Sequence, residues 1–319
     1  MNTGNGQTQT THSASLQHGS YTHGCLYSGN MAHPIYADVL TPTQPVDSKL
    51  PIILIHGAFH TGAAFLNTPD GRPGWAPYFA SRGRRTYVVD WPGHGRSPAS
   101  AEFHRLSGRD VVSSMGELIE EVGDCVLLAH SAGGPISWQL AESHSGKIKG
   151  IVGVAPGGPA NIQKPLSDDP DIIAALRFDE EAGCPIYSDP SKICYVDLEF
   201  IRNYWANTPR FPIAALERYA RSIVGESPLV LNERFRIGGA GLLIKDPEAV
   251  GQRPILIMTG ELDPRHPRAT DEKLARYLNA DFFFLPDHGF TGNGHMFMLD
   301  DNSDDIALCI EDWLNKNKL

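Results

Sequence analysis

Short runs of consecutive hydrophobic residues recur along the chain, and most of them are rich in β-branched or aromatic residues. Because the runs are continuous rather than alternating, they predict strands that are buried on both faces of a sheet. Six strands are predicted in this way, over residues 50–57, 85–90, 124–131, 148–156, 254–260 and 281–286.

Between several of these runs, hydrophobic residues recur at helical spacing. Helices are predicted over residues 108–122, 132–144, 268–279 and 304–316. Since strands and helices alternate along the chain, the pattern predicts an α/β fold with a mainly parallel central sheet flanked by helices.

The alternation is interrupted over residues 157–253, where helical segments rich in aromatic residues replace any clear buried strand. We interpret this interval as a helical lid or cap inserted between two strands, so that residues 21–156 and 254–319 form the core of the domain. Residues 1–20 are rich in Thr, Ser, Asn, Gln and Gly, and they are predicted to be disordered.

Composition and charge narrow the classes of protein to be considered. The chain has 319 residues, which is enough for one large domain or for a domain with an insertion. Its formal net charge of −10 disfavours a nucleic-acid partner. No segment approaches the about 20 apolar residues of a membrane span, and the N-terminal residues lack the features of a signal peptide. We therefore expect a soluble, cytoplasmic protein.

The five cysteines are not spaced like a disulfide framework or a zinc site. Cys184 and Cys194 are near enough in sequence to pair, but free thiols in a reducing compartment are the favoured interpretation. We expect a small-molecule substrate as the partner, with no cofactor and no metal ion. The oligomeric state is left open, with a homodimer as one alternative.

The segment LLAHSAGG gives the first indication of chemistry, because Ser131 lies where a predicted strand turns directly into a predicted helix. The small residues Ala129, Ala132, Gly133 and Gly134 surround this serine. Such a sharp turn admits only small neighbours, and it exposes the serine oxygen at the carboxyl edge of the sheet. The pattern predicts a nucleophile elbow; the alternative is a serine that caps an ordinary helix.

A nucleophilic serine needs a base within hydrogen-bond reach, and the base needs a carboxylate that orients it. Among the 13 histidines, His295 is best placed, because it follows the last predicted strand through a glycine-rich loop and precedes the last predicted helix. His288 shares this loop but lies nearer to the strand. His56 and His94 precede glycines in turns, and we interpret them as structural.

Two carboxylates, Glu261 and Asp263, follow the predicted strand 254–260 in the segment TGELDPRHP. Both should lie at the same edge of the sheet as Ser131. Asp263 is the predicted acid, although a turn that begins before Pro264 is an alternative explanation for this residue.

The oxyanion that forms on attack at a carbonyl needs N–H donors. Ala132 supplies one at the start of a helix, where negative charge is favoured, and Ala58 supplies the second after a buried strand. Phe59, Trp205 and Tyr204 are candidate substrate contacts in a largely apolar pocket, although packing of the protein explains such aromatic residues equally well.

The segments HGAF, DWPGHGRS, AHSAGG, TGELD and GHMF resemble the α/β-hydrolase superfamily in order and spacing, from about residue 50 to the end. The resemblance implies an α/β-hydrolase fold and a triad in the chain order Ser131, Asp263, His295. NTPDGRPGWAPYF and LPDHGFTGNGHMFMLDD are also similar to a small branch of bacterial serine esterases. In that branch the acid is a glutamate at the position of Ala155, so either Asp263 replaces it or the triad is incomplete.

Together these residues predict a serine esterase or lactonase that acts on a small, largely apolar substrate through an acyl-enzyme intermediate. The same scaffold also supports acyl transfer, C–C cleavage and lyase chemistry, because a fold does not determine the reaction. The alanine at position 155 leaves a further alternative, a non-catalytic protein that binds a small ligand.

Overall fold

A computed structural model of the protein describes residues 16–163, 169, 171–172, 187–237 and 241–319. The strands of these residues are β1 (Leu16–His18), β2 (Tyr21–Asn30), β3 (His33–Pro42), β4 (Ile52–Ile55), β5 (Thr86–Asp90), β6 (Cys125–His130), β7 (Ile148–Val154), β8 (Ile255–Thr259) and β9 (Asp281–Phe284). They form a nine-stranded sheet with the order β1-β2-β3-β5-β4-β6-β7-β8-β9.

The continuous hydrophobic runs form the parallel part of the sheet, which consists of β4 to β9. Every residue of β4, β5 and β6 is buried, as expected for strands with helices packed on both faces. Since parallel strands all point the same way, the loops after β4, β6, β8 and β9 meet at one edge of the sheet. The predicted α/β-hydrolase fold is confirmed.

The N-terminal hairpin of β2 and β3 is absent from the sequence prediction. Its strands pair antiparallel over ten residues each, and β3 pairs antiparallel with β5. Most residues of β2 are only half-buried, so this strand carries no continuous hydrophobic run.

The disorder predicted for residues 1–20 does not hold for residues 16–18, which form β1 and pair with β2. Residues 1–15 lie outside the described chain.

The helices of the described residues are α1 (Ala63–Leu66), α2 (Trp75–Ser81), α3 (Gly108–Val122), α4 (Gly133–Ser143), α5 (Leu198–Tyr204), α6 (Leu216–Ala220), α7 (Pro228–Glu233), α8 (Pro247–Val250), α9 (Arg268–Tyr277) and α10 (Ser303–Lys316). The predicted helices correspond to α3, α4, α9 and α10. Helix α3 begins with a capping box, in which the Ser107 side chain accepts from the Asp110 N–H and the Asp110 carboxylate accepts from the Ser107 N–H.

The described residues between β7 and β8 contain the short helices α5 to α8 and add no strand to the sheet. This is the interval in which the sequence predicts an inserted lid. Trp205 and Tyr219 from this segment contact His60, which lies in the loop after β4. The segment therefore covers part of the carboxyl edge of the sheet. Phe178 and Cys184, which also belong to the predicted insertion, lie outside the described residues.

Candidate active site

Ser131 lies between the end of β6 and the start of α4 in a strained backbone conformation, with a φ of 51°. This left-handed region is costly for a residue with a side chain and persists only where its surroundings hold it. The Ser131 N–H donates to the carbonyl of Val154 over 3.2 Å. The Ser131 carbonyl accepts from the N–H groups of Gly134 (2.9 Å) and Gly157 (2.8 Å). Backbone hydrogen bonds on both sides thus fix the turn.

The glycines near Ser131 are explained by close approaches of the backbone. A Cβ atom on Gly133 would lie 2.8 Å from the carbonyl oxygen of His56, and one on Gly57 would lie 2.8 Å from the Cβ of Ser131 itself. Real Cβ atoms essentially never make contacts this short, so a larger residue at either position would push the elbow away from the loop after β4.

The three residues predicted as a triad lie in one hydrogen-bonded chain. The Oγ of Ser131 is 3.0 Å from Nε2 of His295, and Nδ1 of His295 is 2.8 Å from Oδ2 of Asp263. With Nδ1–H donating to the carboxylate, Nε2 is left to accept from the serine hydroxyl. The second oxygen of Asp263 accepts the N–H groups of Arg265 (2.8 Å) and His266 (3.1 Å), which holds the carboxylate in place.

Burial is the largest cause that lowers the pKa of His295 below its ordinary value. The charge and hydrogen bond of Asp263 oppose this effect, whereas the positive charges of His266 and Arg265 add to it. Burial raises the pKa of Asp263, but its interactions with His295 outweigh burial and hold that pKa below its usual value. At neutral pH the site therefore pairs a neutral imidazole with an ionised carboxylate, as a general base requires.

A second histidine–carboxylate pair lies directly behind the first. The ring of His266 stacks on that of His295, with centroids 5.3 Å apart, and its Nδ1 is 3.0 Å from Oδ1 of Asp271. The Thr259 hydroxyl donates to the other oxygen of Asp271 over 2.7 Å. Burial lowers the pKa of His266, but Asp271 outweighs it, so the pKa lies above its ordinary value. Sequence reasoning missed this pair, although both residues lie close to Asp263 in sequence.

Of the two predicted oxyanion donors, one is next to Ser131 in sequence and the other lies near it in space. Ala132 follows it directly, and Ala58 lines the same cleft. In the part of the chain that the structure describes, neither backbone N–H donates a hydrogen bond. The next residue in the loop, Phe59, has a left-handed φ of 64°, so this loop is strained as the elbow is.

Glu226 holds this strained loop, and sequence reasoning did not find it. Its Oε2 accepts the N–H of Phe59 over 3.2 Å, while the Phe59 carbonyl accepts the N–H of Val224 over 3.0 Å. Both partners come from the predicted insertion. On the same loop, His60 donates from Nδ1 to the carbonyl of Ala58 (2.8 Å) and accepts at Nε2 from the Tyr219 hydroxyl (2.7 Å). Burial lowers the pKa of His60 to about 4, which keeps this ring neutral.

Glu226 is fully buried and pairs with His94, another fully buried residue. Nε2 of His94 lies 3.2 Å from Oε2 of Glu226, and its Nδ1 lies 3.1 Å from the carbonyl oxygen of Pro92. Because both ring nitrogens face acceptors, both must donate, and the ring is an imidazolium. Burial lowers the pKa of His94, but the interactions with Glu226 outweigh it and the pKa lies above its ordinary value.

A narrow cleft of about 20 Å³ lies over the serine, which is room for about one water molecule. Phe59 and Trp205, both predicted as substrate contacts, line it. Tyr204 is not among the lining residues: it is the last residue of α5, and its ring packs on Phe200 with centroids 4.6 Å apart. Sequence reasoning missed the charged part of the lining, Arg234 and Arg265.

The other candidates for base and acid lie elsewhere. His288 is exposed and stacks on Phe283, with centroids 3.6 Å apart. Glu261 is exposed and accepts the N–H of Gly292 over 2.7 Å. His56 is buried, but its Nδ1 donates to the carbonyl of its neighbour Gly57 and its Nε2 accepts from a backbone N–H, so it supports the loop after β4.

No group of three or more His, Cys, Asp or Glu side chains in the described residues is arranged to hold a metal ion. Likewise, none of the helices described above combines the length and the apolar composition of a membrane span.

Comparison with known proteins agrees with this geometry. A sequence profile described as alpha/beta hydrolase family matches residues 52–307. The chain therefore belongs to the α/β-hydrolase family, and the resemblance stated from its motifs is confirmed.

Individual relatives are distant. The chain is 24% identical over 346 residues to a probable secreted lipase, phiG, of a fungal species, a match that covers 88% of this chain and 86% of the lipase. A structure titled as that of a novel bacterial esterase superimposes with a TM-score of 0.57 at 19% identity, covering 100% of both chains. An esterase from Exiguobacterium antarcticum reaches a TM-score of 0.65 at 18% identity, covering 91% of this chain and 98% of the esterase. At such identities the structural matches show the fold.

Proposed function

We propose that the protein is a serine hydrolase that cleaves a carboxylic ester or lactone of a small substrate through an acyl-enzyme intermediate. The observation that carries the proposal is the continuous chain from Ser131 through His295 to Asp263, with separations of 3.0 and 2.8 Å. The names of the fungal lipase and of the two esterases are consistent with it.

In the proposed reaction, Oγ of Ser131 attacks the ester carbonyl while Nε2 of His295 takes the hydroxyl proton. Asp263 stabilises the imidazolium that forms and keeps Nε2 directed at the serine. The oxyanion accepts hydrogen bonds from the N–H groups of Ala58 and Ala132, and each such donor typically contributes about 2.7–4 kcal/mol to lowering the barrier.

The tetrahedral intermediate then breaks its bond to the alcohol oxygen, which leaves with the proton held by His295. Water attacks the resulting acyl-serine, with His295 again as the base, and releases the acid and free Ser131. In a lactone, the leaving alcohol stays attached to the acyl group, so a single hydroxy acid is released.

The segment between β7 and β8 is proposed to act as a lid. Trp205 and Arg234 from this segment line the cleft, and the cleft is too small for an ester in the form described. Substrate entry therefore requires these side chains to move, which is how lids control access and exclude water.

A cytoplasmic location remains a prediction from the sequence, and subcellular fractionation with activity staining would test it.

The test of the hydrolase proposal is covalent capture. A fluorophosphonate should label the wild-type protein at one residue, identified by peptide mass spectrometry as Ser131, and generic esters should be hydrolysed. Ser131→Ala should abolish both. The matched control is Ser137→Ala in α4, the helix that follows Ser131, since the Ser137 hydroxyl is buried with no hydrogen-bond partner in the described structure. Full ester hydrolysis by Ser131→Ala would refute the proposal.

A further inference from the structure

The wall of the cleft carries more positive charge than the chain as a whole would indicate. The protein has a formal net charge of −10, yet two arginine residues, Arg234 and Arg265, line the space over Ser131. Among the described lining residues there is no carboxylate. Asp263 contacts His295, which lines the cleft, but both of its carboxylate oxygens already accept hydrogen bonds, one from His295 and the other from two backbone N–H groups.

Arg265 is the better defined of the two. It lies two residues after Asp263 in the loop that follows β8, and it is half-buried, with its guanidinium carbon 5.7 Å from the centre of the Phe200 ring. The positive charge of Arg265 acts on the site, because it is one of the causes that lower the pKa of His295. Within the described part of the chain, no carboxylate forms an ion pair with its side chain.

Arg234 approaches from the other side, at the C-terminal end of α7. Its Nε donates to the carbonyl of Leu231 over 3.1 Å, which fixes the direction of the side chain. The two arginines thus belong to different structural units, the loop after β8 and the segment between β7 and β8, and both line the cleft.

We infer that the substrate carries a carboxylate, which Arg265 binds while Ser131 attacks the ester group. Guanidinium groups recognise carboxylates through paired, charge-assisted hydrogen bonds, and in a narrow, partly buried cleft such pairs are screened less than on the surface. The inference rests on the proposed ester hydrolysis and specifies its substrate class, an ester that is also a carboxylate anion.

The test compares esters that differ only in charge. Monomethyl glutarate and methyl glutaramate differ by a carboxylate against a neutral amide on the acyl side, and acetylglycolate and acetylglycolamide differ in the same way on the alcohol side. Each kcat/KM is divided by the rate constant for hydrolysis of the same ester by hydroxide. At about pH 8, where an imidazole of ordinary pKa is neutral, the wild-type ratio of anionic to neutral ester should exceed about tenfold in at least one pair.

Arg265→Gln should lower this ratio by about tenfold or more, because the backbone N–H that holds Asp263 is kept while the charge is lost. Arg265→Lys should retain part of the preference. The matched control is Arg268→Gln, since Arg268 is exposed, lies three residues further along the chain and pairs with Glu272 and Asp287. That change should leave the ratio unaltered.

The outcomes separate the inference from the proposed function. If the neutral esters are hydrolysed as fast as the anionic ones in both pairs, the inference is wrong while ester hydrolysis stands. If Arg265→Gln slows both members of each pair equally, the arginine acts on the reaction itself and the inference is again wrong. If no ester is hydrolysed, the proposed function fails, and calorimetric titration of Ser131→Ala with glutarate still decides whether the cleft binds a carboxylate.

Discussion

Two buried histidines next to the cleft each contact a buried carboxylate, yet the structure drives their pKa values in opposite directions. The pKa of His295, which faces Asp263, lies below its ordinary value, whereas the pKa of His94, which faces Glu226, lies above it. Burial acts on both rings in the same sense, and it disfavours the charged form.

The two pKa values differ for two reasons: the ring nitrogen that does not face the carboxylate has a different partner in each histidine, and a neighbouring charge acts on His295. His94 directs its other nitrogen to the carbonyl of Pro92, which only accepts, so the protonated ring satisfies both partners. His295 directs its other nitrogen to the Ser131 hydroxyl, which donates to a neutral ring, and the positive charge of His266 lies against its face. A carboxylate partner alone therefore does not set the charge of a buried histidine.

This contrast matches two different tasks. The His94–Glu226 pair holds a fixed proton and keeps the loop of Phe59 in a strained conformation beside the cleft. The His295–Asp263 pair keeps a vacant nitrogen beside the serine, as proton transfer requires. The following changes alter one pair at a time.

The largest effect is expected at Asp263. In Asp263→Asn the amide can hold the imidazole in the wrong tautomer, with its proton towards the serine, and in serine proteases this change lowers kcat about 10⁴-fold. We expect a loss of similar order in ester hydrolysis, measured by steady-state kinetics, with the fold retained by circular dichroism. The control is Glu261→Gln, since Glu261 is exposed and only accepts a backbone N–H. A loss below about tenfold in Asp263→Asn would contradict the assigned role.

A large effect on stability is expected at Glu226. Glu226→Gln leaves the His94 cation buried without its counter-charge, which typically costs about 3–5 kcal/mol. Denaturant unfolding at about pH 6 should show this loss. The double change of Glu226→Gln with His94→Gln should recover part of it, because two amides can hydrogen-bond without charge. Glu217→Gln is the control, since Glu217 pairs with Arg221 on the surface with 84% of its side chain exposed.

The pH dependence of this stability loss has a defined sign. The lowered pKa of Glu226 stabilises the fold above its unfolded value of 4.5, and this contribution is lost as the pH falls through the folded pKa. The raised pKa of His94 stabilises the fold below its unfolded value of 6.5, and this contribution is lost as the pH rises through the folded pKa. The difference between wild type and Glu226→Gln should therefore be largest between these two values. A difference that grows steadily towards alkaline pH would show that the pair is not ionic.

The Glu226 contact also shows why part of the site could not be predicted from sequence. The Phe59 N–H and the Glu226 carboxylate are 167 residues apart, and neither has a local pattern that indicates the other. Ser131 and His295 could be predicted from the sequence. A strand, a sharp turn and small residues constrain them locally, and the carboxyl ends of parallel strands meet at one edge of the sheet.

The fold follows the same division between local and distant constraints. Strands buried on both faces leave continuous hydrophobic runs, so β4 to β8 were predicted, whereas the half-exposed strand β2 leaves none. Strand β9 was predicted from its run of phenylalanines, but its residues are exposed or half-buried, so the expected burial on both faces does not hold for it. The sheet explains why the acid can follow β8 although Ala155, after β7, carries no carboxylate. Val154, at the end of β7, pairs with Met258 in β8, so an acid after either strand emerges at the same edge. Tyr204 and Trp205 were both predicted as substrate contacts, and the sequence pattern does not fix which of these neighbours at the end of α5 lines the cleft.

The smallest expected effect, and the one that tests the comparison most directly, concerns His266. Burial lowers the pKa of His295 most, and the His266 cation adds to this effect, so the acid limb of kcat/KM in the wild type should lie below the ordinary value of 6.5. His266→Asn removes the positive charge, which favours protonation of His295 and should move the acid limb towards higher pH. Asp271→Asn should act in the same direction, because it removes the carboxylate that keeps His266 protonated. His288→Asn, in the loop before His295 but exposed, should leave the limb in place. An acid limb that stays fixed in His266→Asn would mean that burial alone keeps His295 neutral. The difference between His295 and His94 would then depend only on the partner of the ring nitrogen that does not face the carboxylate.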